Sequence, residues 1–332
     1  ILYITLVDAS NFDVVVENVA ATTFTNTWFI RCVAMSIQAS KFKNLYLEAV
    51  ENWESITDDQ EKIVLTNFVR LARLFTLVLA AYIICNTFAT LTFTPLTCAL
   101  LDTYFPMENG TEYKFIPFQV HFYVFDKKDA YWLIWLHIDV ATCVGMIIIA
   151  GFDGMQIMFT REICGLFEVL SLRLSNYIDS RRSAHLNRED SKEKGNAAGL
   201  EQCVILHNQT LRFCSLVEET YNLASLSTEL GIVLMLSMMY YHFRYARTHI
   251  IKRGANCLLI VGVNATLFLM NWVGQEVSNY SGKIFDSAYQ SDWHVMDTKE
   301  RKMLLIIMQN SIAPFVLTSG RIFPLSLESF GK

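Results

Sequence analysis

Asp297-Thr-Lys-Glu-Arg-Lys-Met-Leu-Leu-Ile-Ile-Met-Gln-Asn-Ser-Ile-Ala-Pro314, followed by Phe315-Val-Leu-Thr-Ser-Gly-Arg-Ile-Phe-Pro-Leu-Ser-Leu-Glu-Ser-Phe330, is the stretch that decides how this chain folds. Asp297 stands three residues before Glu300, an acidic variant of the capping box that satisfies free amides at a helix start. The apolar run Met303–Met308 follows, then the polar break Gln309, Asn310 and Ser311, which leads into Pro314. Proline has no N–H to give to an intrahelical bond, so a helix here should stop or kink just before Pro314. Beyond Thr318-Ser-Gly320 the chain turns apolar again through Phe323, Leu325, Leu327 and Phe330. Two architectures fit this pattern. One is a short helix, a break at a membrane surface and a second helix entering the bilayer; the other is a single membrane helix with a proline kink.

The rest of the chain supplies the membrane. Of its 332 residues 53% are hydrophobic and 18% charged, and the mean hydropathy is +0.31. That is too apolar for an ordinary soluble domain of this size. The net charge of −5 leaves no basic face, and no Lys/Arg run is interleaved with aromatics, which argues against a nucleic-acid partner. Eight cysteines are scattered through apolar stretches without CxxC or Cys/His spacing, so no metal and no cofactor is expected. Cys98 and Cys257 are the one pair that a common outer face would bring near each other, and spacing cannot establish that bond.

Taken in order, Ile1–Val7 reads as the tail of a helix that begins before Ile1, and Val14–Gln38 as the next span. The second segment is threonine-rich, and each hydroxyl can either bond back to its own helix or face a cavity. Lys41–Lys62 is charged and amphipathic and should lie outside the bilayer. Ile63–Phe93 spans again, with Arg70 and Arg73 reaching the interface near its start. Pro95–Ala130 is expected as a loop, carrying the glycosylation acceptor Asn109-Gly110-Thr111. Tyr131–Phe159 spans with an aromatic belt of Tyr131, Trp132 and Trp135. Arg173–Lys194 reads as a basic loop, which the positive-inside rule assigns to the cytoplasm, although Arg244, Arg247, Lys252 and Arg253 then fall outside. Leu200–His242 and Asn256–Gln275 complete the spans, with Asn264 and Asn271 placed to bond a neighbouring helix. The expected fold class is an all-α polytopic membrane protein. It is one domain over residues 1–332, with seven transmembrane helices, a cytosolic amino terminus and an extracellular carboxyl terminus. Residues 297–316 form a cytosolic anchor helix and 318–332 the start of a last helix, the first helix being cut at Ile1 and the seventh at Lys332.

No enzyme chemistry survives this map. His137 and Asp139 are two residues apart on a helix and point to different faces. An aspartate inside a span calls for a partner on another helix, and Gly151-Phe-Asp-Gly154 lacks phosphate-loop spacing and reads as a kink. A G-protein-coupled receptor would be threaded the opposite way and would carry Asp-Arg-Tyr and Asn-Pro-x-x-Tyr motifs, which this sequence lacks. A secondary transporter would show internal repeats and paired broken helices, and one broken helix is visible here.

The wording of the terminal stretch goes further than its spacing. Lys299-Glu-Arg-Lys, Leu304-Leu-Ile-Ile-Met-Gln-Asn-Ser-Ile-Ala-Pro314, Thr318-Ser-Gly and Phe323-Pro-Leu-Ser-Leu-Glu-Ser-Phe330 resemble the carboxyl-terminal signature of insect odorant receptors. Ser287-Ala-Tyr-Gln-Ser-Asp-Trp293 resembles the family's segment between its sixth and seventh helices. Asp13-Val-Val-Val-Glu-Asn18 and Leu136-His-Ile-Asp139 look most like hymenopteran members. The resemblance implies a ligand-gated, non-selective cation channel of four subunits in the plasma membrane of olfactory sensory neurons, with volatile odorants as ligands and lipid around it. Because Arg173–Leu200 lacks the coreceptor's long insertion, the chain resembles a ligand-tuning subunit that joins the coreceptor in a heterotetramer. Cations would pass a pore lined by each seventh helix, beginning here with Phe323, Leu327 and Phe330. The resemblance places the odour pocket around Val19, Thr22 and Thr23, around Leu79, Tyr82 and Asn86, and around Ile138, Ala141, Thr142 and Gly145. Leu230, Leu234 and Phe268 would close it. Each set keeps helical spacing, which ordinary core packing keeps equally well.

Overall fold

The computed structural model describes residues 12–104, 130–186, 196–245 and 250–332. Asn109, with its acceptor triplet, lies outside them, as do Ile1–Val7. The described chain is almost wholly helical. Helix α1 is Phe12–Ile37, α2 Ala39–Ser55, α3 Asp59–Tyr104, α4 Tyr131–Leu186, α5 Asn196–Tyr245 and α6 Ile250–Tyr289. After a 3₁₀ turn come α7, Thr298–Ser311, strands β1, Thr318–Ser319, and β2, Phe323–Pro324, and the short α8, Leu327–Gly331. Among the described residues three helices carry a stretch long and apolar enough to cross a membrane, within Asp59–Tyr82, Tyr131–Ser183 and Gly199–Tyr245. This is a multi-pass, helical membrane architecture.

Local chemistry sets several boundaries. Asp58 Oδ1 accepts from the Gln60 and Glu61 amides at 2.7 and 3.2 Å, and Asp59 and Glu61 fill the first turn of α3 with the charge its amide end favours. The expected stop at Pro95 does not occur, and α3 runs on to Tyr104. A proline removes one intrahelical bond, and a long apolar helix holds across that gap. The basic loop expected from Arg173 is also helical as far as Leu186. Its arginines are ion-paired instead of merely hydrated: Arg173 with Glu61 at 2.6 Å, Arg182 with Asp292 at 2.6 Å, and Arg181 with Glu300. Helix α6 continues fourteen residues past Gln275 because Val277, Ser281, Ile284 and Ala288 form a buried stripe at helical spacing.

Two compact units share these helices. The first comprises Ile1–Ala34, Phe75–Asp153 and Ser227–Leu267. Its core gathers Ile232, Met235, Leu236 and Met239 of α5 with Ile260 of α6, and Ala20 and Phe24 of α1 pack against them. The second comprises Met35–Leu74, Gly154–Leu226 and Phe268–Lys332. Its axis is the stretch of α4 in which Ile157, Phe159, Ile163, Leu166, Phe167, Leu170 and Leu174 are all at most 1% exposed. The stretch is buried on its polar side too, since Gln156, Thr160, Arg161 and Glu162 are at most 8% exposed. Gly165 makes this possible on one side, since a Cβ there would lie 2.6 Å from Leu65 Cδ1.

The terminal stretch belongs to the second unit. Its capping box forms: the Asp297 amide donates to Glu300 Oε2 at 2.9 Å, and the Asp297 carboxylate turns back to the Glu300 amide. Helix α7 buries Glu300, Leu304, Ile307 and Ser311, one face at four- and three-residue steps, and ends before Pro314. The chain beyond does not enter a helix at Ser319. Residues 318–324 form a small antiparallel hairpin pairing Thr318 with Pro324 and Ser319 with Phe323, and helix resumes at Leu327. Gly320 and Arg321 carry φ of 68° and 57°, the mirror-image turn that joins closely paired strands.

Candidate functional site

The residues placed by resemblance in the odour pocket lie mainly in the first unit. Val19, Thr22 and Thr23 are half-buried on α1 and Leu79 on α3. On α4, Ile138 and Gly145 are buried, Thr142 is half-buried and Ala141 exposed. Tyr82, Leu230 and Leu234 are exposed to 42%, 56% and 44%. The Asn86 side chain lies outside the described residues. Phe268 falls in the second unit, edge-on to Phe330 with ring centroids 5.4 Å apart. The threonine hydroxyls all bond back to their own helices: Thr22 to the Asn18 carbonyl at 2.7 Å, Thr23 to that of Val19 at 2.8 Å, and Thr142 to that of Ile138 at 2.8 Å. Back-bonding leaves each helix with a methyl facing outward and one polar group fewer to satisfy.

Three close helix approaches tie this set together. A Cβ on Gly145 of α4 would stand 2.9 Å from Trp28 Cδ1 of α1. A Cβ on Gly231 of α5 would stand 3.0 Å from Thr27 Cγ2 and 3.6 Å from Thr23 Cγ2. On Gly262 of α6 it would meet the Tyr82 hydroxyl at 2.7 Å. Small residues let membrane helices approach until van der Waals contact holds them. Trp28, Gly231 and Gly262 thus pack directly against members of the predicted set or their helices, and helical spacing within one segment gave no sign of them. Gly145→Ala should force the Trp28 indole to shift at a cost of about 1–3 kcal/mol, the usual range for overpacking. Thermal unfolding in detergent checks this, and an unchanged melting temperature would mean that the indole has room to move.

The unit's strongest polar contact was also not foreseen. Arg31 Nε and Nη2 donate to Asp153 Oδ1 and Oδ2 at 2.9 and 3.0 Å, with side chains 4% and 3% exposed. Arg31 Nη1 donates to the Thr27 carbonyl at 3.3 Å, and the guanidinium lies 5.9 Å from the Phe152 ring centroid. Gly151–Gly154, expected as a kink, lies inside a continuous helix and carries one half of a bidentate ion pair. The legible signal was simply a charge within an apolar segment on each of two helices. Asn264 and Asn271 do reach neighbours, Asn264 the Tyr240 hydroxyl at 3.3 Å and Asn271 the Ser326 amide at 3.2 Å. Cys98 and Cys257 are both free, and Cys98 Sγ lies 3.8 Å from the Tyr131 hydroxyl.

The second unit holds a cavity of about 190 Å³ lined by His207, Ser281, Ser311 and Pro314 among others, with none of the predicted odour residues. With Glu61, Arg161 and Glu162, Glu300 is one of this unit's buried charged groups. The carboxylate accepts from the Tyr177 hydroxyl at 2.7 Å, from the Asp297 amide at 2.9 Å and from Arg181. Burial pushes its pKa up, and those donors outweigh it, so the carboxyl stands below the ordinary glutamate value of 4.5. Of the predicted pore-lining residues, Phe323 and Leu327 are exposed and Phe330 half-buried.

Residues 11–332 match the family model described as 7tm odorant receptor. The chain belongs to the odorant receptor family. Among curated relatives it is 26% identical to odorant receptor Or2 of Anopheles gambiae over 54% of this chain and 48% of that one. It is 24% identical to putative odorant receptor 69a, isoform A, of Drosophila melanogaster over 59% and 46% respectively. The chain thus spans about half the length of these curated relatives. Its fold is that of the insect olfactory receptor OR5 from Machilis hrabei in complex with eugenol, with a TM-score of 0.72 over 97% of this chain and 78% of that one at 16% identity. A second structure of the same receptor gives a TM-score of 0.71 at 17% identity, over 99% of this chain and 80% of that one.

Proposed function

We propose that this chain is the ligand-tuning subunit of a ligand-gated, non-selective cation channel, assembled with the odorant receptor coreceptor in the plasma membrane of olfactory sensory neurons. The observation that carries the reading is the family match, which runs unbroken from residue 11 to residue 332. In this reading the amino terminus is cytosolic and the carboxyl terminus extracellular. Residues 297–316 anchor the cytosolic side, and the segment from Thr318 leads into the pore-lining helix.

The pocket is walled by Val19, Thr22 and Thr23 of α1, Leu79 and Tyr82 of α3, and Ile138, Thr142 and Gly145 of α4. Its walls are apolar, and the back-bonded threonines turn methyl groups rather than hydroxyls outward. A ligand held there binds chiefly by burial, at about 25 cal/mol per Å² of apolar surface, so medium-sized apolar volatiles suit it best. Eugenol, the partner of the Machilis hrabei receptor, is the first probe to try.

The test is electrophysiological. Currents are recorded from cells expressing the full-length receptor with and without the coreceptor, over a panel of volatiles, and with G-protein signalling blocked. The expected result is a response that needs the coreceptor and survives the block. Within that response, T22F, Y82W and T142F should each move the half-maximal concentration of part of the panel about tenfold, equal to roughly 1.4 kcal/mol of binding. Three unaltered profiles would rule out this pocket. A response that dies with the G-protein block would rule out the channel.

A further inference from the structure

We propose that Glu218 is a latch that holds the hairpin Thr318–Pro324 against α5, and that its release frees the terminal helix α8 to move. The coupling of that movement to current rests on the channel reading above, whereas the latch itself does not.

The hairpin cannot hold itself. Each strand is two residues long, and Phe323 and Pro324 are exposed. Two strands of that length bury too little to be stable alone. Its geometry comes from α5. Glu218 Oε2 accepts from the Thr318 amide at 2.9 Å, and Oε1 accepts from the Thr318 hydroxyl and from Asn222 Nδ2, the latter at 2.9 Å. The Asn222 carbonyl accepts from the Gly320 amide at 3.1 Å. Glycine suits position 320, where φ is +68°, a region that side chains rarely adopt, and a Cβ would push the Leu226 side chain aside. One carboxylate and one asparagine, a single turn apart, thus fix both the strand and its turn.

The hairpin's far end is held by a different helix. Asn271 of α6 takes the Ser326 amide at 3.2 Å, and Gly274 lets the Leu325 backbone lie on α6 where a Cβ would meet its carbonyl oxygen at 2.5 Å. The segment leading to α8 therefore bridges α5 and α6. Any sliding of one helix past the other must stretch this bridge, and the contacts at the two ends differ in kind. The α6 end is backbone packed on backbone. The α5 end is a half-buried cluster of charge-assisted hydrogen bonds around one side chain, which can open and re-form without repacking a core.

Arg321 provides a readout independent of ion flow. It is exposed at the hairpin turn, and trypsin can cut after it only when the turn leaves its closed geometry. In purified full-length receptor, E218A should raise the rate of cleavage after Arg321 at least tenfold, with E218Q intermediate and T318V raising it less. Should E218A fail to fold, T318V, which removes only the hydroxyl contact, is read alone and should still raise the rate. An E218A or T318V rate equal to wild type would overturn the latch. The converse arm is N222C/T318C, at two positions whose side chains are in hydrogen-bond contact. Once the disulfide is confirmed by mass, oxidation should suppress ligand-evoked current and reduction restore it. A formed disulfide that leaves the current unchanged overturns the coupling. If wild type gives no current at all, the channel reading has failed, and the proteolysis alone decides the latch.

Discussion

Arg31→Ala will destabilise the folded chain by about 3–5 kcal/mol, the cost of leaving a buried charge without its partner. Both Asp153 oxygens lose their donors at once, and the carboxylate is 3% exposed, so water cannot replace them. D153A should cost a similar amount for the mirror reason. The double variant R31L/D153L removes both charges and keeps the volume apolar, so it should recover most of the loss, because a buried pair is worth little more than the hydrocarbon that can replace it. Melting temperatures in detergent, with surface expression as the cellular counterpart, check the set. A double variant no better than R31A would mean that the arginine acts through its contacts with Thr27 and Phe152 instead of through the charge.

The second large effect falls on Glu300. E300A strips an acceptor from Tyr177, Arg181 and the Asp297 amide together, and should cost on the order of 3 kcal/mol, the scale of a buried network broken at one member. Acidity gives a finer test. The folded pKa lies below the ordinary value of 4.5, so Glu300 contributes stability that is fully present above that value. The contribution is lost as the pH falls through the lowered folded pKa. Wild type should therefore lose melting temperature on acidification below about 4.5, and E300Q, which has no proton to take up, should lose less over the same range. Parallel acid profiles for the two would show that this carboxylate does not hold the α7 start.

How far residues could be read without coordinates depended on the distance between partners. The capping box of α7 and the stop before Pro314 were legible because both are settled within a few residues. The same local logic failed at Pro95, where one missing bond was set against a long apolar helix. It failed again at Arg173–Leu186, where a cluster of arginines looks like a solvated loop until their acids on three other segments are known. Gly151–Gly154 gave no sign that its aspartate meets Arg31, because the two stand 122 positions apart. Of the odour residues, Thr22, Thr23 and Thr142 left the use of their hydroxyls open in the sequence, and each hydroxyl bonds the carbonyl four residues back.

By itself, the order of amino acids determined that this is a many-helix membrane chain of the odorant receptor family, since composition, span length and the terminal signature are one-dimensional properties. Tertiary structure alone decided that Trp28 lies on Gly145, that Arg31 answers Asp153, and that Glu218 holds a hairpin a hundred residues away. The physical reason is that burial creates the demand for a partner without naming it. A charge inside an apolar helix must be met by something, and only the packing of one helix on another says by what.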